Sequence, residues 1–160
     1  MPGTAISTEH PRARARRRRL GIREGIALAD TALHSSAGYN SVDYLRHEIA
    51  SGLDINEVGT NGWTPLHRAC MAYSYEAAKI LLEAGAAVDP QDKWGKTPLV
   101  CAVTSDSRAL DLVILLLEYG ANPTIENDAG NSALKNAHDL MGTEQLVPAL
   151  DAAAKRFAKP

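Results

Sequence analysis

The sequence predicts an all-α fold: a solenoid of helix-turn-helix units separated by β-hairpin-like finger loops. Three observations predict it. Gly62-Trp63-Thr64-Pro65-Leu66-His67 recurs 33 residues later as Gly95-Lys96-Thr97-Pro98-Leu99, and self-similarity at such a period marks a stacked repeat architecture. Gly52 and Gly85, also 33 apart, each close an apolar stretch. Aromatic residues make up only 5% of the chain, with a single Phe. Alanine and leucine therefore carry the packing, which favours helices over a β-sandwich.

The register lays out the units in order. Thr31-Ala32-Leu33-His34 stands 33 residues before Thr64, Pro65, Leu66 and His67. Beyond Gly85 the spacing stretches by two: Gly85 to Gly120 and Gly95 to Gly130 are both 35. One two-residue insertion near Ser105-Asp106-Ser107 explains both shifts. After it, Ser132-Ala133-Leu134 takes the Thr-Pro-Leu place. Four units result, about 30–58, 59–91, 92–126 and 127–157, within a domain spanning residues 21–158.

Each element has a local reason. Thr64 and Thr97 are placed to cap the first helix of their units, and the proline that follows suits the first helical turn. Leu66, Ala69 and Cys70 fall at i, i+3 and i+4, one apolar face. Ala69 and Ala102 are small enough for neighbouring helices to approach closely. Ala78, Leu81 and Leu82 form the matching face of the second helix, which Gly85 and Gly120 end through a left-handed turn. The turn-rich stretches 54–62, 87–95 and 122–130 become the fingers. Ile22, Ile26, Ala29 and Leu33 sit at helical spacing and predict a longer opening helix that shields one end of the stack. Pro148 is expected to interrupt the last helix. A single unit cannot bury its own face, so stability comes from stacking neighbours.

These motifs resemble the ankyrin repeat. The match is close in the second unit, with Thr64-Pro65-Leu66-His67-Arg68-Ala69 followed by Ile80-Leu81-Leu82-Glu83-Ala84-Gly85-Ala86. The third keeps Thr97-Pro98-Leu99 and Leu116-Leu117-Glu118-Tyr119-Gly120-Ala121, with Val100 where histidine is usual. The outer units diverge: Ala29 replaces the expected glycine and Glu48 sits at a leucine position. Terminal units have one open face, so divergence there is expected. The resemblance covers about four-fifths of the chain and implies a module that holds other proteins.

Charge divides the chain. Residues 12–19 read RARARRRR, while the remainder from Gly21 onward keeps 11 of the 17 basic and 18 of the 19 acidic residues, a net charge of about −7. Residues 1–20 offer almost nothing to bury and are expected to form a disordered, Arg-rich tail. The tail is open to several readings: a nuclear-import or nucleic-acid patch, an organelle transit peptide, or merely solvated chain. A nuclear or nucleic-acid-associated regulator built on residues 12–19, with the repeats as scaffold, is the alternative function.

Little in the sequence points to chemistry. In the resemblance, the histidine of the helix-start motif bonds to nearby loop backbone, which makes His34 and His67 structural. No H-E-x-x-H or C-x-x-C spacing appears, nor a glycine-rich phosphate cradle. Cys70 and Cys101 lie on different units without a histidine beside either, and Cys70 reads as a small buried filler. Neither an enzyme nor any cofactor or metal is expected. No apolar run is long enough to span a membrane, and two cysteines without a secreted-type framework make a reducing, cytoplasmic setting the default.

A partner would meet one concave face, made of the finger tips and the first-helix row. By register the tips hold Thr60, Asn61, Trp63, Lys93, Trp94, Lys96, Asp128, Ala129 and Asn131. The inner helices add Ser35, Arg68, Met71, Val100, Thr104, Lys135, His138 and Asp139. Trp63, Trp94 and Arg68 lead, because Trp and Arg dominate interface energetics. Either tryptophan could instead pack on the next finger, and the inserted loop at residues 105–108 is a second candidate surface. The third and fourth units further resemble compact bacterial ankyrin proteins, some of which are immunity proteins encoded beside toxins. The acidic body would suit a basic protein or toxin. Eukaryotic-like effector or scaffold roles stand beside that reading.

Overall fold

The computed structural model describes residues 29–105 and 109–158. The arginine run at 12–19, Ile22, Ile26 and the inserted residues 106–108 lie outside the described residues. Among the described residues there are eight α-helices and no strand. They are α1 (Ala32–Gly38), α2 (Val42–Ala50), α3 (Pro65–Met71), α4 (Tyr75–Glu83), α5 (Pro98–Ser105), α6 (Leu110–Glu118), α7 (Ala133–Asp139) and α8 (Val147–Ala154). A single 3-10 turn, Thr60–Gly62, shapes the first finger. None of the described helices is long and apolar enough to cross a membrane.

The helices form two rows. Inner helices stack α1 on α3, α3 on α5 and α5 on α7, and outer helices stack α2 on α4, α4 on α6 and α6 on α8. Leu33, Leu66 and Leu99 hold one register place at the start of the inner row and each is at most 1% exposed, while Leu134, in the same place of the fourth unit, is partly buried. Leu45, Ala78, Leu81, Val113 and Leu116 fill the facing side of the outer row, fully buried. Burying each leucine contributes roughly 1.5–3 kcal/mol before the entropy of ordering is subtracted.

Local signals start and stop the helices where the chemistry demands. The Thr64 hydroxyl accepts from His67 N–H at 3.4 Å, and Ser132 Oγ accepts from Lys135 N–H at 3.2 Å. Gly85 and Gly120 adopt φ of 90° and 89° directly after the ends of α4 and α6, a conformation that costs a side chain more than it costs glycine.

Side chains of one unit also bond to the backbone of its neighbour. Asn40 Oδ1 accepts from Ala77 N–H at 2.9 Å, and Ser74 Oγ donates to the Gly38 carbonyl at 3.1 Å. Asn56 Oδ1 accepts from Ala87 N–H at 2.8 Å, and Asp89 Oδ2 accepts from Asn122 N–H at 3.0 Å. These bonds satisfy backbone groups in the loops and at helix ends that no helix ladder reaches.

Two expectations are corrected. The opening helix does not run through Ala29 into Leu33: Thr31 is extended (φ −92°, ψ 178°) and caps α1, leaving Ala29 outside the helix and exposed. The Thr31 cap outcompetes the helical spacing of the apolar residues. Pro148 does not interrupt the last helix either. It occupies the first turn of α8, where its missing N–H would have had no helical partner.

Candidate docking wall

Three fingers carry one repeated bonding scheme. In the second finger, Asp92 N–H donates to the Lys96 carbonyl at 2.9 Å, closing the loop. Asp92 Oδ1 in turn accepts from Trp94 N–H at 2.9 Å and Lys96 N–H at 2.8 Å. In the third finger Asn127 does the same, with its N–H on the Asn131 carbonyl and its Oδ1 accepting from Ala129 and Asn131. In the first finger Gly59 N–H bonds the Trp63 carbonyl at 2.7 Å. Glycine has no side chain to serve the tip there, and Asp30 Oδ1 reaches across to accept from Thr60 N–H at 3.0 Å. A Cβ on Gly59 would lie 2.8 Å from both that oxygen and His34 Nε2.

Adjacent fingers are joined through the main chain. Lys93 N–H donates to the Asn61 carbonyl at 3.0 Å, and Asp128 N–H to the Trp94 carbonyl at 2.9 Å. The first of these contacts needs Gly62, whose φ is 80° and where a Cβ would stand 3.0 Å from Lys93 N.

The two motif histidines tie the fingers to the helices. His34 Nδ1 accepts from Thr31 N–H at 3.1 Å and its Nε2 meets the Trp63 carbonyl at 2.9 Å. His67 repeats this one unit later, with Thr64 N–H at 3.1 Å and the Lys96 carbonyl at 3.0 Å. Because a backbone N–H points at each Nδ1, that nitrogen is an acceptor and the proton sits on Nε2. Both rings are fully buried. Burial lowers the His67 pKa below its ordinary value, outweighing the Lys96 carbonyl that favours the charged form. Val100 occupies the same place in the third unit and is buried with no such ring.

The cysteines are set up for packing. Both are buried. Burial pushes the Cys70 thiol well up and the Cys101 thiol up to about 12. A thiol held protonated is a poor nucleophile. Among the described residues no group of three or more His, Cys, Asp or Glu side chains comes together to hold a metal ion.

At the tips, four side chains form one row. Lys93 Nζ stands 4.3 Å from the centroid of the Trp94 ring. Trp94 and Trp63 lie 6.3 Å apart, tilted by 45°. Arg68 Cζ is 5.6 Å from the Trp63 ring, and Arg68 Nε is 3.5 Å from Asp30 Oδ2. Trp63 Nε1–H donates to Asp92 Oδ2 at 3.2 Å. Trp63 is thus partly buried and engaged by its neighbours, while Trp94 is 43% exposed.

A family model described as ankyrin repeats, in three copies, matches residues 32–127, more than half of the chain. The chain belongs to the ankyrin repeat family. Ankyrin repeats mediate protein–protein interaction. Among its curated relatives, the B-cell lymphoma 3 protein homolog of Mus musculus is 37% identical over 112 residues, covering 67% of this chain and 25% of the relative. Ankyrin repeat and SOCS box protein 11 of Mus musculus is 40% identical over 103 residues, covering 62% of this chain and 31% of the relative. A putative ankyrin repeat protein of Rickettsia bellii is 37% identical over 105 residues, covering 66% of this chain and 42% of the relative. The chain therefore spans less than half the length of each of these ankyrin proteins.

Within this ankyrin module the structure gathers Asn61, Trp63, Arg68, Lys93, Trp94 and Lys96 around the first two fingers. Asp128 and Asn131 lie on the third finger, where Lys135 Nζ donates to the Gly130 carbonyl at 3.3 Å. Met71 lies at the end of α3, partly buried. Val100 is 1% exposed and is withdrawn from the surface. His138 is 3.4 Å from Asp151 on α8.

Asp30, Asp92 and Asn127 are the residues the sequence reading passed over. For Asp92 and Asn127 the signal is in the sequence: they share the register place of Gly59, and each stands three residues before a finger glycine, a turn-forming arrangement. Net acidity belongs to the whole body, and Asp43, Glu76, Glu83, Asp111 and Glu118 lie exposed on the outer helices. The finger tips carry Lys93, Lys96 and Asp128, all partly exposed, with Asp92 turned inward and 1% exposed.

Proposed function

We propose that this ankyrin module masks a partner protein by rigid docking on the finger wall, in the manner of an immunity or regulatory protein. One observation carries the reading: Trp94 offers an exposed indole on a finger whose backbone is bonded on both sides. Such an anchor loses little conformational freedom on binding, so more of its contact energy appears as affinity. Large aromatic residues held this way are the usual hot spots of protein interfaces. A cytoplasmic setting accompanies the proposal, supported by two buried cysteines present as thiols.

The test is affinity capture from the source cell with the full chain, followed by titration of the purified partner. Trp94→Ala should weaken binding by about 2 kcal/mol while leaving the thermal midpoint almost unmoved. Undiminished affinity in that variant would remove the wall from the interface. If the saturated partner kept its full activity, masking would be excluded even though docking stood.

A further inference from the structure

We infer that the wall is built for an acidic protein segment: a stretch bearing carboxylates beside an apolar or aromatic side chain that rests on Trp94. The inference rests on the docking reading above and names the chemistry of its partner.

The juxtaposition behind it is of two partly exposed lysines beside an exposed indole, with the carboxylate of their own finger, Asp92, turned inward. Lys93 stands over the Trp94 ring at 4.3 Å, and Lys96 follows at the base of the same finger, partly buried. The carboxylate nearest in sequence to both is Asp92. It is 1% exposed, and its two oxygens are engaged by Trp94 N–H, Lys96 N–H and Trp63 Nε1–H. Asp30 is likewise engaged, by Thr60 N–H and Arg68. These acids hold the fingers in shape and present little negative charge to a visitor. Both lysines are partly exposed. An approaching segment therefore meets two lysines beside an indole, with Asp128, whose N–H bonds the Trp94 carbonyl, adding one partly exposed carboxylate; the body as a whole carries about −7.

A carboxylate-bearing partner gains complementary potential at this spot. Its apolar side chain would cover Trp94 and shield the ion pairs from water, which strengthens them. A nucleic acid is the weaker fit. Its charge continues at every nucleotide, so beyond these two lysines it would run along an acidic body, and outer-helix acids such as Glu76 and Asp111 would repel it.

The experiment uses the full chain as bait for a random peptide library. Selected peptides should be rich in Asp and Glu together with an aromatic or aliphatic residue. A synthetic copy of the best peptide should bind about ten-fold more weakly to Lys93→Glu, retain its affinity for Lys93→Arg, and lose affinity as salt is added. Lys96→Gln provides a second, milder reading should the first variant fold poorly. Selection of basic or uncharged peptides, affinity indifferent to Lys93→Glu, or tighter binding of an oligothymidine probe than of the acidic peptide would each overturn the inference. Trp94→Ala separates the two levels. Basic or neutral peptides that lose affinity in that variant keep the docking wall and reject the acidic partner. Peptides of any charge that bind it unchanged reject the wall itself.

Discussion

Trp63 Nε1–H donates to Asp92 Oδ2 at 3.2 Å, tying an indole on one finger to the carboxylate that shapes the next. Asp92 also holds Trp94 and Lys96 through their backbone N–H groups, so one buried side chain fixes the geometry of the whole tip.

Asp92→Ala should therefore be among the more damaging single changes in the fingers. It leaves three donors in partly buried bonds without their acceptor. A loss of about 3 kcal/mol is expected in urea denaturation. Asp92→Asn keeps an acceptor for the backbone pair and should cost only about 1 kcal/mol. A change below about 0.5 kcal/mol for the alanine variant would mean that the main-chain bonds hold the finger unaided.

The two tryptophans should separate in their effects. Trp63 is engaged by Asp92 and flanked by Arg68, so Trp63→Ala should lower stability by about 2 kcal/mol. Trp94 is 43% exposed, and Trp94→Ala should change stability by less than about 0.5 kcal/mol. Paired denaturation curves decide it. Equal losses would mean that both rings serve packing.

His67 predicts a pH dependence. Its folded pKa is lowered below the unfolded 6.5 because burial disfavours the charged ring. The native state then binds fewer protons than the unfolded chain between those two values, and stability rises with pH across that interval. The contribution is complete above pH 6.5 and is lost as pH falls through the folded value. Asp89 works in the opposite sense at lower pH, since burial raises its pKa above 3.8. Wild type should lose more stability than His67→Gln between neutral and mildly acidic buffer. Parallel losses would assign the dependence to other groups.

Gly62→Ala should loosen the junction of the first two fingers. Alanine meets an unfavourable φ of 80° and places a Cβ 3.0 Å from Lys93 N. The expected loss is about 2 kcal/mol. Amide exchange at Lys93 should accelerate with it, because its bond to the Asn61 carbonyl is displaced. Unchanged exchange there would show that the finger shifts as a unit.

Sequence alone determined the repeat and its helices. Period, capping threonines, first-turn prolines and helix-ending glycines are local signals, each acting within a few residues and repeated down the chain. It misjudged Ala29 and Pro148 for the same reason: spacing and composition were read there without the cap or first-turn position that decided the outcome. Only tertiary structure decided which charged and aromatic side chains of the fingers are exposed and which are engaged. Trp63 and Trp94 look alike in sequence, and Asp92 looks like any other finger acid. Their difference arises from bonds such as that of Trp63 to Asp92, across 29 residues. Such bonds form when units stack and loop donors must find acceptors away from water. The exposed charge of the wall is what remains after those donors have been satisfied.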